Sequence, residues 1–203
     1  MKKICIFFNI IILLTICGCK SFYVNQAIKA QDRNFEIKLP KLEPIFENET
    51  EVKYWKPGEK IVRENSPWAT LFYREIEKNL VNPYGTSEGY IVLRPIIHSI
   101  EISGWGYYWL SACTAFSINL LGVPNNSYTS ITELEAEILN IKGELIKKYS
   151  AEQSSTEYVA LWWGYDFHSG ANAAMYASYT KALSSIINQI NEDKEYLKNK
   201  LSQ

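Results

Sequence analysis

The clearest periodic pattern in the chain is an alternation of polar and apolar positions between Tyr128 and Asn140. Every second residue from 133 to 137 is a glutamate, and every second residue from 134 to 138 is apolar. Because side chains alternate across a β-strand, the pattern predicts a strand with one wet face and one packed face. The turn residues that follow, including Gly143, predict a hairpin into a second strand that begins at Leu145.

Three other segments have strand character. Residues 35–39 alternate between apolar and charged side chains up to Pro40. Residues 89–103 form a long strand candidate with one mainly apolar face, in which Pro95 indicates an edge position or a bulge. Residues 158–165 are apolar on both sides, which predicts a covered strand.

Two segments have helical periodicity. Ser66 and Pro67 are typical of an N-cap and a first helical position, and apolar residues recur at helical spacing as far as Leu80. A stripe at intervals of three or four residues from 173 to 201 predicts a long amphipathic helix, broken near residues 191–193. The element order predicts an α+β fold, a mostly antiparallel four- to five-stranded sheet with two helices on one face in a β-α-β-β-β-α arrangement.

Composition narrows the functional classes. The chain has 203 residues, 47% of them hydrophobic and 14% aromatic, which favours a folded domain over a disordered chain. The 21 basic and 22 acidic residues nearly balance, and no run of Lys or Arg exceeds two. Nucleic acid is therefore not expected as a partner.

The most unusual internal feature is an uncharged segment, residues 102–132. It is too short for a helical hairpin that crosses a bilayer twice, which needs about 40 apolar residues. One spanning helix would put the flanking strands on opposite sides of the membrane. Two interpretations therefore stay open: a loop at about 103–127 that faces a membrane or a partner, or a hairpin folded against the protein's own sheet. The first assigns the contact to five aromatic residues: Trp105, Tyr107, Tyr108, Trp109 and Phe116.

Candidate chemistry is sparse. His98 and His168 have no metal-ligand spacing with a partner, and we predict no metal, no cofactor and no catalytic residue. His98, on the apolar strand face, is expected to be structural. Asp166, His168 and Ser169 lie close in sequence, which leaves a hydrolase as a remote alternative, but a helix cap is the simpler interpretation. The alternate glutamates from 133 to 137 are expected to form a solvated face rather than a cation site.

The amino terminus has the features of a signal peptide. Two lysines precede the apolar, charge-free segment 4–17, which is shorter than the roughly 20 residues of a transmembrane helix. Its end, Ile16-Cys17-Gly18-Cys19, resembles the lipobox of bacterial lipoproteins. The resemblance implies that residues 1–18 are removed and that Cys19 carries a diacylglyceryl group.

This resemblance also predicts the organisation of the mature chain. Residues 19–34 would be the lipidated cysteine and a tether, and residues 35–203 a single α+β domain. Lys20, where an aspartate is typical of inner-membrane retention, implies a periplasm-facing outer-membrane lipoprotein, or a cell-membrane one in an organism without an outer membrane. Of the four cysteines, Cys113 would have no partner, and its apolar surroundings predict a small buried side chain.

The predicted topology resembles that of small envelope-assembly lipoproteins. Among these are the lipopolysaccharide-assembly lipoprotein of the outer membrane, the curli-secretion lipoprotein and the amino-terminal domain of the Tol-system periplasmic protein. Four short motifs look like those of a lipoprotein family of unknown function: Gly89-Tyr90, Gly122-Val123-Pro124, Lys148-Tyr149-Ser150 and Ala182-Leu183. The resemblance implies a non-enzymatic adaptor or assembly partner with an envelope protein as partner. The alternative is a periplasmic protein that binds a lipid or another apolar ligand.

Overall fold

The computed structural model describes residue 22 and residues 38–47, 64–161, 163–166 and 168–202. Within them the fold is α+β, with a mixed, mostly antiparallel sheet in the order β1-β2-β3-β4. The coarse prediction of an α+β fold with a mostly antiparallel sheet is therefore confirmed. The strands are β1 Leu42–Phe46, β2 Gly89–Ile102, β3 Asn126–Asn140 and β4 Leu145–Val159.

Four α-helices occur in the described residues, whereas the sequence predicts two. They are α1 Pro67–Glu75, α2 Trp105–Cys113, α3 Gly170–Glu192 and α4 Lys194–Leu201. A π-helical turn, Ile76–Leu80, prolongs α1. The helix start at Ser66 is confirmed, because its hydroxyl accepts a hydrogen bond from the Ala69 amide at 3.1 Å. The break in the last helix is also confirmed, since Asp193 separates α3 from α4.

The strand predicted at residues 35–39 is described only at its end. Leu39 makes an isolated bridge to Val81, and residues 35–37 lie outside the described residues. Strand β1, which the sequence pattern does not predict, runs parallel to β2, with Leu42 opposite Gly89 and Phe46 opposite Leu93. Pro44 lies inside β1, which an edge strand tolerates because its outward side needs no hydrogen bond.

The alternation in β3 is confirmed residue by residue. Leu134, Ala136 and Ile138 are fully buried, and the intervening glutamates are half-buried on the other face. The hairpin forms as predicted, with the Asn140 amide donating to the Glu144 carbonyl at 3.0 Å. The separate strand predicted at 158–165 is wrong, because β4 runs unbroken to Val159, to which Tyr165 adds only one parallel bridge.

Strand β2 contains the irregularity that Pro95 indicates. Arg94 makes ion pairs with glutamates on one face of the sheet, whereas His98 contacts Thr132, which lies on the opposite, buried face of β3. Residues four apart in a regular strand point to the same side, so one extra residue must lie between positions 94 and 98. The single continuous face predicted for residues 90 to 102 is therefore wrong, and the reason is an irregularity between Arg94 and His98 of the kind that a β-bulge produces.

The chain packs as two compact units, both of which include parts of β2, β3, β4 and α3. Among the described residues, the core unit contains 38–47, 64–98, 131–153 and 178–202, and the aromatic unit contains Phe22, 99–130, 154–161, 163–166 and 168–177. The main hydrophobic core lies in the core unit, and most of its largest fully buried side chains come from α1, β2, β3 and α3. The single domain predicted for residues 35–203 stays a prediction.

Helices α1 and α3 meet within the core unit. The Tyr179 hydroxyl donates to the Trp68 carbonyl at 3.0 Å, and the two rings lie 5.1 Å apart between centroids. Burial raises the pKa of Tyr179 well above its ordinary value, with smaller contributions from Tyr73 and Glu64. Residues 1–21, which include the predicted signal helix, Cys19 and the start of the tether, lie outside the described residues.

Candidate functional site

The segment predicted as an aromatic loop contains regular structure. Helix α2 begins after Gly104, whose carbonyl accepts hydrogen bonds from the amides of Tyr107 and Tyr108 at 3.0 and 3.2 Å. Gly104 lies against the backbone of β3, and a Cβ at this position would be 2.3 Å from the Ser127 nitrogen. Glycine is therefore required where α2 leaves the sheet, because any side chain would collide with main-chain atoms.

Almost all of α2 faces outward. Eight of its nine residues are exposed, and only Ser111 is buried. Trp105 is 57% exposed and Trp109 is 63% exposed. We call α2 and the following segment to Leu121 the aromatic surface; its large exposed side chains are Trp105, Tyr107, Tyr108, Trp109, Leu110, Phe116, Leu120 and Leu121.

All five aromatic residues singled out from the sequence thus lie on the molecular surface of the aromatic unit. Leu120 and Leu121 belong to the same surface but were missed, although Leu121 is 84% exposed. Their position inside the uncharged segment was the available signal. Only the structure shows that a short 3-10 helix, Ser117–Leu121, presents them outward.

A strained turn connects α2 to the 3-10 helix. Ala115 and Phe116 have φ angles of 48° and 62°, a left-handed conformation that costs a bulky residue on the order of 1–3 kcal/mol. The buried Asn119 stabilises this turn by donating to the Ser111 hydroxyl and to the Val123 carbonyl, both at 2.9 Å. The arrangement holds the Phe116 ring in an exposed position.

A second aromatic cluster joins the aromatic surface. The Tyr107 ring lies 6.2 Å from the Tyr158 ring, which lies 6.0 Å from that of Trp163. The Trp163 indole donates to the Gly122 carbonyl at 2.7 Å. The structure therefore joins this cluster to the aromatic surface through Tyr158 and Trp163. Two neighbouring aromatic residues, Trp162 and Phe167, lie outside the described residues.

Phe22 connects the amino-terminal segment to the same unit. Its ring lies 6.0 Å from that of Tyr165 and 5.3 Å from that of Tyr176. Burial, with a smaller effect of the Glu157 charge, raises the pKa of Tyr165. The sequence contains a hint of this contact, because Phe22 belongs to the one apolar cluster of the predicted tether. Its partners, Tyr165 beyond the end of β4 and Tyr176 on α3, could not be inferred without the fold.

One prediction about the aromatic surface is wrong. Cys113, expected to be a small buried side chain, is exposed at the end of α2. The prediction assumed that an apolar segment is covered by the protein itself. In this segment the apolar side chains point outward, so the cysteine follows them to the surface.

The sequence Asp166 to Ser169 forms the cap of α3. One oxygen of the Asp166 carboxylate accepts hydrogen bonds from the amides of His168 and Ser169 at 2.9 and 2.8 Å. Its other oxygen accepts from the Ser169 hydroxyl at 2.9 Å. The serine is therefore bonded to the acid that orients the helix start, which supports the capping interpretation.

His98 lies in a hydrogen-bonded chain of the core unit. Its Nδ1 lies 3.0 Å from the Thr132 hydroxyl, which lies 2.8 Å from that of Ser178 on α3. The Trp68 ring is 5.9 Å from the imidazole. These contacts link β2, β3 and α3, so they support a structural role for His98.

The glutamate face of β3 holds an ion-pair network rather than an open row of carboxylates. Arg94 pairs with Glu47, with Glu137 at 2.7 Å and with Glu135 at 3.6 Å. Lys148 pairs with Glu135 at 2.7 Å. Burial lowers the pKa of Arg94, but the hydrogen bonds and charges of Glu47 and Glu137 raise it by more. Among the described residues, no group of three His, Cys, Asp or Glu could hold a metal ion.

A second polar cluster ties β4 to the helices. Asp193 accepts from Lys147 at 2.5 Å and from the Tyr149 hydroxyl at 3.1 Å. The hydrogen bond from Lys147 lowers the pKa of Asp193 despite an opposing effect of burial. Burial and Asp193 together raise the pKa of Tyr149.

No family model matches this chain, and no curated protein matches it either. Within the described residues, none of the helices is both long enough and apolar enough to span a membrane. Three features of the chain bear on its function: the exposed aromatic surface, the packing of Phe22 in the same unit and the lipobox resemblance.

Proposed function

We propose that this chain is a membrane-anchored lipoprotein of the bacterial envelope, acylated on Cys19, which acts as an adaptor or assembly partner without catalysis. Its location would be the periplasmic side of the outer membrane, or the cell membrane in an organism that lacks an outer membrane. The α+β fold is compatible with the resemblance to small envelope-assembly lipoproteins. Fold alone does not give function, so the proposal depends on the contacts described above.

The observation that carries the proposal is the packing of Phe22 on Tyr165 and Tyr176. Cys19 precedes Phe22 by three residues, and an extended chain advances at most about 3.6 Å per residue. A lipid on Cys19 would therefore be attached within about 11 Å of the Phe22 backbone. The unit that contains Phe22, and that would therefore adjoin the anchor, is the one that carries the aromatic surface.

Two surfaces are available for contact. One is the aromatic surface, and the other is the sheet edge formed by β4, which comes last in the strand order. An edge strand presents unpaired backbone groups to which a strand of another protein can add. The charged residues along β4, among them Lys148 and Glu152, limit indiscriminate pairing and favour a specific envelope protein.

Binding of an apolar ligand between helices and sheet finds less support. Leu71 and Phe72 of α1 and Ile91 of β2 are at most 1% exposed, so the interior of the core unit is filled by its own side chains. Extraction of the purified protein with organic solvent, followed by mass spectrometry, tests this alternative. A stoichiometric lipid other than the covalent one would favour it.

Metabolic labelling tests the anchor directly. Cells that express the full chain are grown with alkynyl palmitate, and the labelled protein is compared with Cys19→Ala, Cys17→Ala and Cys113→Ala variants. We expect label in the wild type and in the last two variants, and loss of label with an uncleaved, larger precursor in Cys19→Ala. Equal labelling of Cys19→Ala, or loss of label only in Cys113→Ala, would refute the proposed anchor.

Crosslinking tests the adaptor role. A photoreactive amino acid at exposed positions of β4 in the labelled protein should give one recurrent protein adduct in intact cells, identifiable by mass spectrometry. Glu144→Lys, in the hairpin turn beyond the strand, serves as a control that should leave the adduct unchanged. Absence of any protein adduct along β4 and on the aromatic surface would contradict an adaptor function.

A further inference from the structure

The aromatic surface is unusual because it combines apolar character with exposure on nearly all sides of α2. A helix that is hydrophobic all round is normally buried. Ile100 and Ile102, which precede α2 in the same unit, are also more than 40% exposed. A contiguous exposed apolar surface of this kind indicates a contact with a membrane or another molecule.

The charge of the aromatic unit favours a membrane over a protein as the molecule that contacts the aromatic surface. Residues 99–130 and 154–177 contain no Lys or Arg, and their only charged side chains are Glu101, Glu157 and Asp166. A protein interface typically surrounds an apolar centre with a polar rim, and Arg is enriched there. Trp and Tyr have an apolar ring with one polar atom, which suits the boundary between headgroups and acyl chains.

The dimensions of α2 restrict how it can meet a bilayer. Its nine residues span about 14 Å at 1.5 Å per residue, whereas the hydrocarbon core is about 30 Å thick. It can therefore lie in the interface, where a helix buries its apolar face at the level of the headgroups. The Gly104 contact keeps the start of α2 at the end of the sheet, so the helix is presented as a fixed element.

A lipid on Cys19 would hold the chain at the surface of a bilayer. Because Phe22 packs on Tyr165 and Tyr176, the membrane would always be within reach of the aromatic unit, which raises its effective concentration there. We propose that the aromatic surface inserts into the headgroup region of the membrane that holds the Cys19 lipid, with Trp105, Tyr108 and Trp109 as interfacial anchors. This inference rests on the proposed lipoprotein function and names the occupant of its aromatic surface. The β4 edge then remains for a protein partner.

Photocrosslinking distinguishes lipid from protein as the occupant. Benzoylphenylalanine replaces Tyr108 in one full-chain variant and Tyr196 of α4 in another; these tyrosines are 45% and 47% exposed, in different units. After irradiation of intact cells, we expect lipid adducts at position 108 at least tenfold above those at position 196. A protein adduct as the main product at 108, whether with an envelope protein, a second copy or the chain's own residues 1–18, would overturn the inference.

Fluorescence quenching measures the depth of insertion. The full-chain lipoprotein is reconstituted into phosphatidylcholine vesicles that contain lipids brominated either near the headgroup or near the chain end. We expect the shallow bromines to quench more strongly, and Trp105→Phe with Trp109→Phe to lose most of the difference while Trp163→Phe keeps it. Because residues 99–130 and 154–177 contain no Lys or Arg and phosphatidylcholine has no net charge, quenching should not change between low and high salt. Equal quenching of the double variant and the wild type would contradict insertion.

The two proposals can fail separately. Palmitate on Cys19 with only protein adducts at position 108 would leave the lipoprotein assignment intact and refute insertion. Lipid adducts at 108 in a chain without palmitate would retain the membrane contact and remove the proposed anchor.

Discussion

The connection between α2 and the sheet can be tested by one substitution at two nearby glycines. At Gly104 an added Cβ would lie 2.3 Å from the Ser127 nitrogen and 2.7 Å from the Asn126 carbonyl carbon. At Gly106, in the same helix, no heavy atom lies within 4 Å of the added Cβ. Gly104→Ala and Gly106→Ala therefore add the same methyl group to a blocked and to an open position.

The two substitutions are expected to change the stability of α2 in opposite directions. Relief of the Gly104 clash requires a main-chain shift of about 0.7 Å, and overpacking of this kind costs about 1–3 kcal/mol. The lower entropy of the unfolded chain recovers only about 0.4–1 kcal/mol. Gly106→Ala should stabilise the helix by about 0.5–1 kcal/mol, because alanine has the higher helix propensity. The two variants should thus differ by about 2 kcal/mol in the stability of α2, the centre of these ranges.

Hydrogen exchange followed by mass spectrometry reads this difference in the peptide that covers α2. At 1.4 kcal/mol per tenfold change, exchange of its protected amides should be about 30-fold faster in Gly104→Ala than in Gly106→Ala. Both variants are measured in the same detergent, and a peptide from α1 in the core unit serves as the internal reference. Equal exchange in the two variants would refute the reasoning that Gly104 fixes α2 at the sheet.

Three further predictions concern the core unit. Arg94→Met should lower the free energy of unfolding in urea by about 2–4 kcal/mol, because it leaves three half-buried carboxylates without their shared partner. Lys148→Met removes a half-exposed side chain and should cost under about 1 kcal/mol. Equal losses in the two variants would contradict this reasoning. Ser66→Ala should cost about 1 kcal/mol in the same assay by removing the α1 cap, and Ser66→Asp should restore most of it. The pKa of Asp193 is lowered in the folded state, so the carboxylate should stabilise the fold above about pH 4 and lose this effect as the pH falls through the folded pKa. In a profile of unfolding free energy against pH, Asp193→Asn should therefore flatten the acid limb. An unchanged limb would argue against the Lys147 interaction.

Local sequence patterns correctly predicted the elements that depend on interactions within a few residues. The alternation in β3 placed its glutamates and its apolar residues on the correct faces, because a strand with one packed side must keep its period of two. The cap at Ser66 and the break at Asp193 followed from backbone chemistry within a few residues. Pro95 indicated the irregularity in β2, although the pattern did not show that the residues beyond it change face.

The wrong predictions concern segments whose structure depends on contacts with residues far away in the sequence. Strand β1 was not predicted, because its place in the sheet depends on pairing with β2, more than 40 residues further along the chain. Residues 105–113 were expected to be part of a loop, yet the close approach allowed by Gly104 and the bonds around Asn119 shape them into a helix and a strained turn. Cys113 was placed inside for its apolar neighbours, but those neighbours face outward.

The sequence by itself determined that residues 102–132 carry no charge, that five aromatic residues lie within their part from 103 to 127, and that a lipobox-like segment ends at Cys19, since each is a property of local composition. Only the tertiary structure decided that those side chains are exposed and that Phe22 packs on Tyr165 and Tyr176 in the same unit. Exposure depends on which surfaces remain after strands and helices far apart in the chain have packed. An apolar segment has the same sequence pattern whether the protein buries it or exposes it. Its exposure is decided only when the other strands and helices have packed around it.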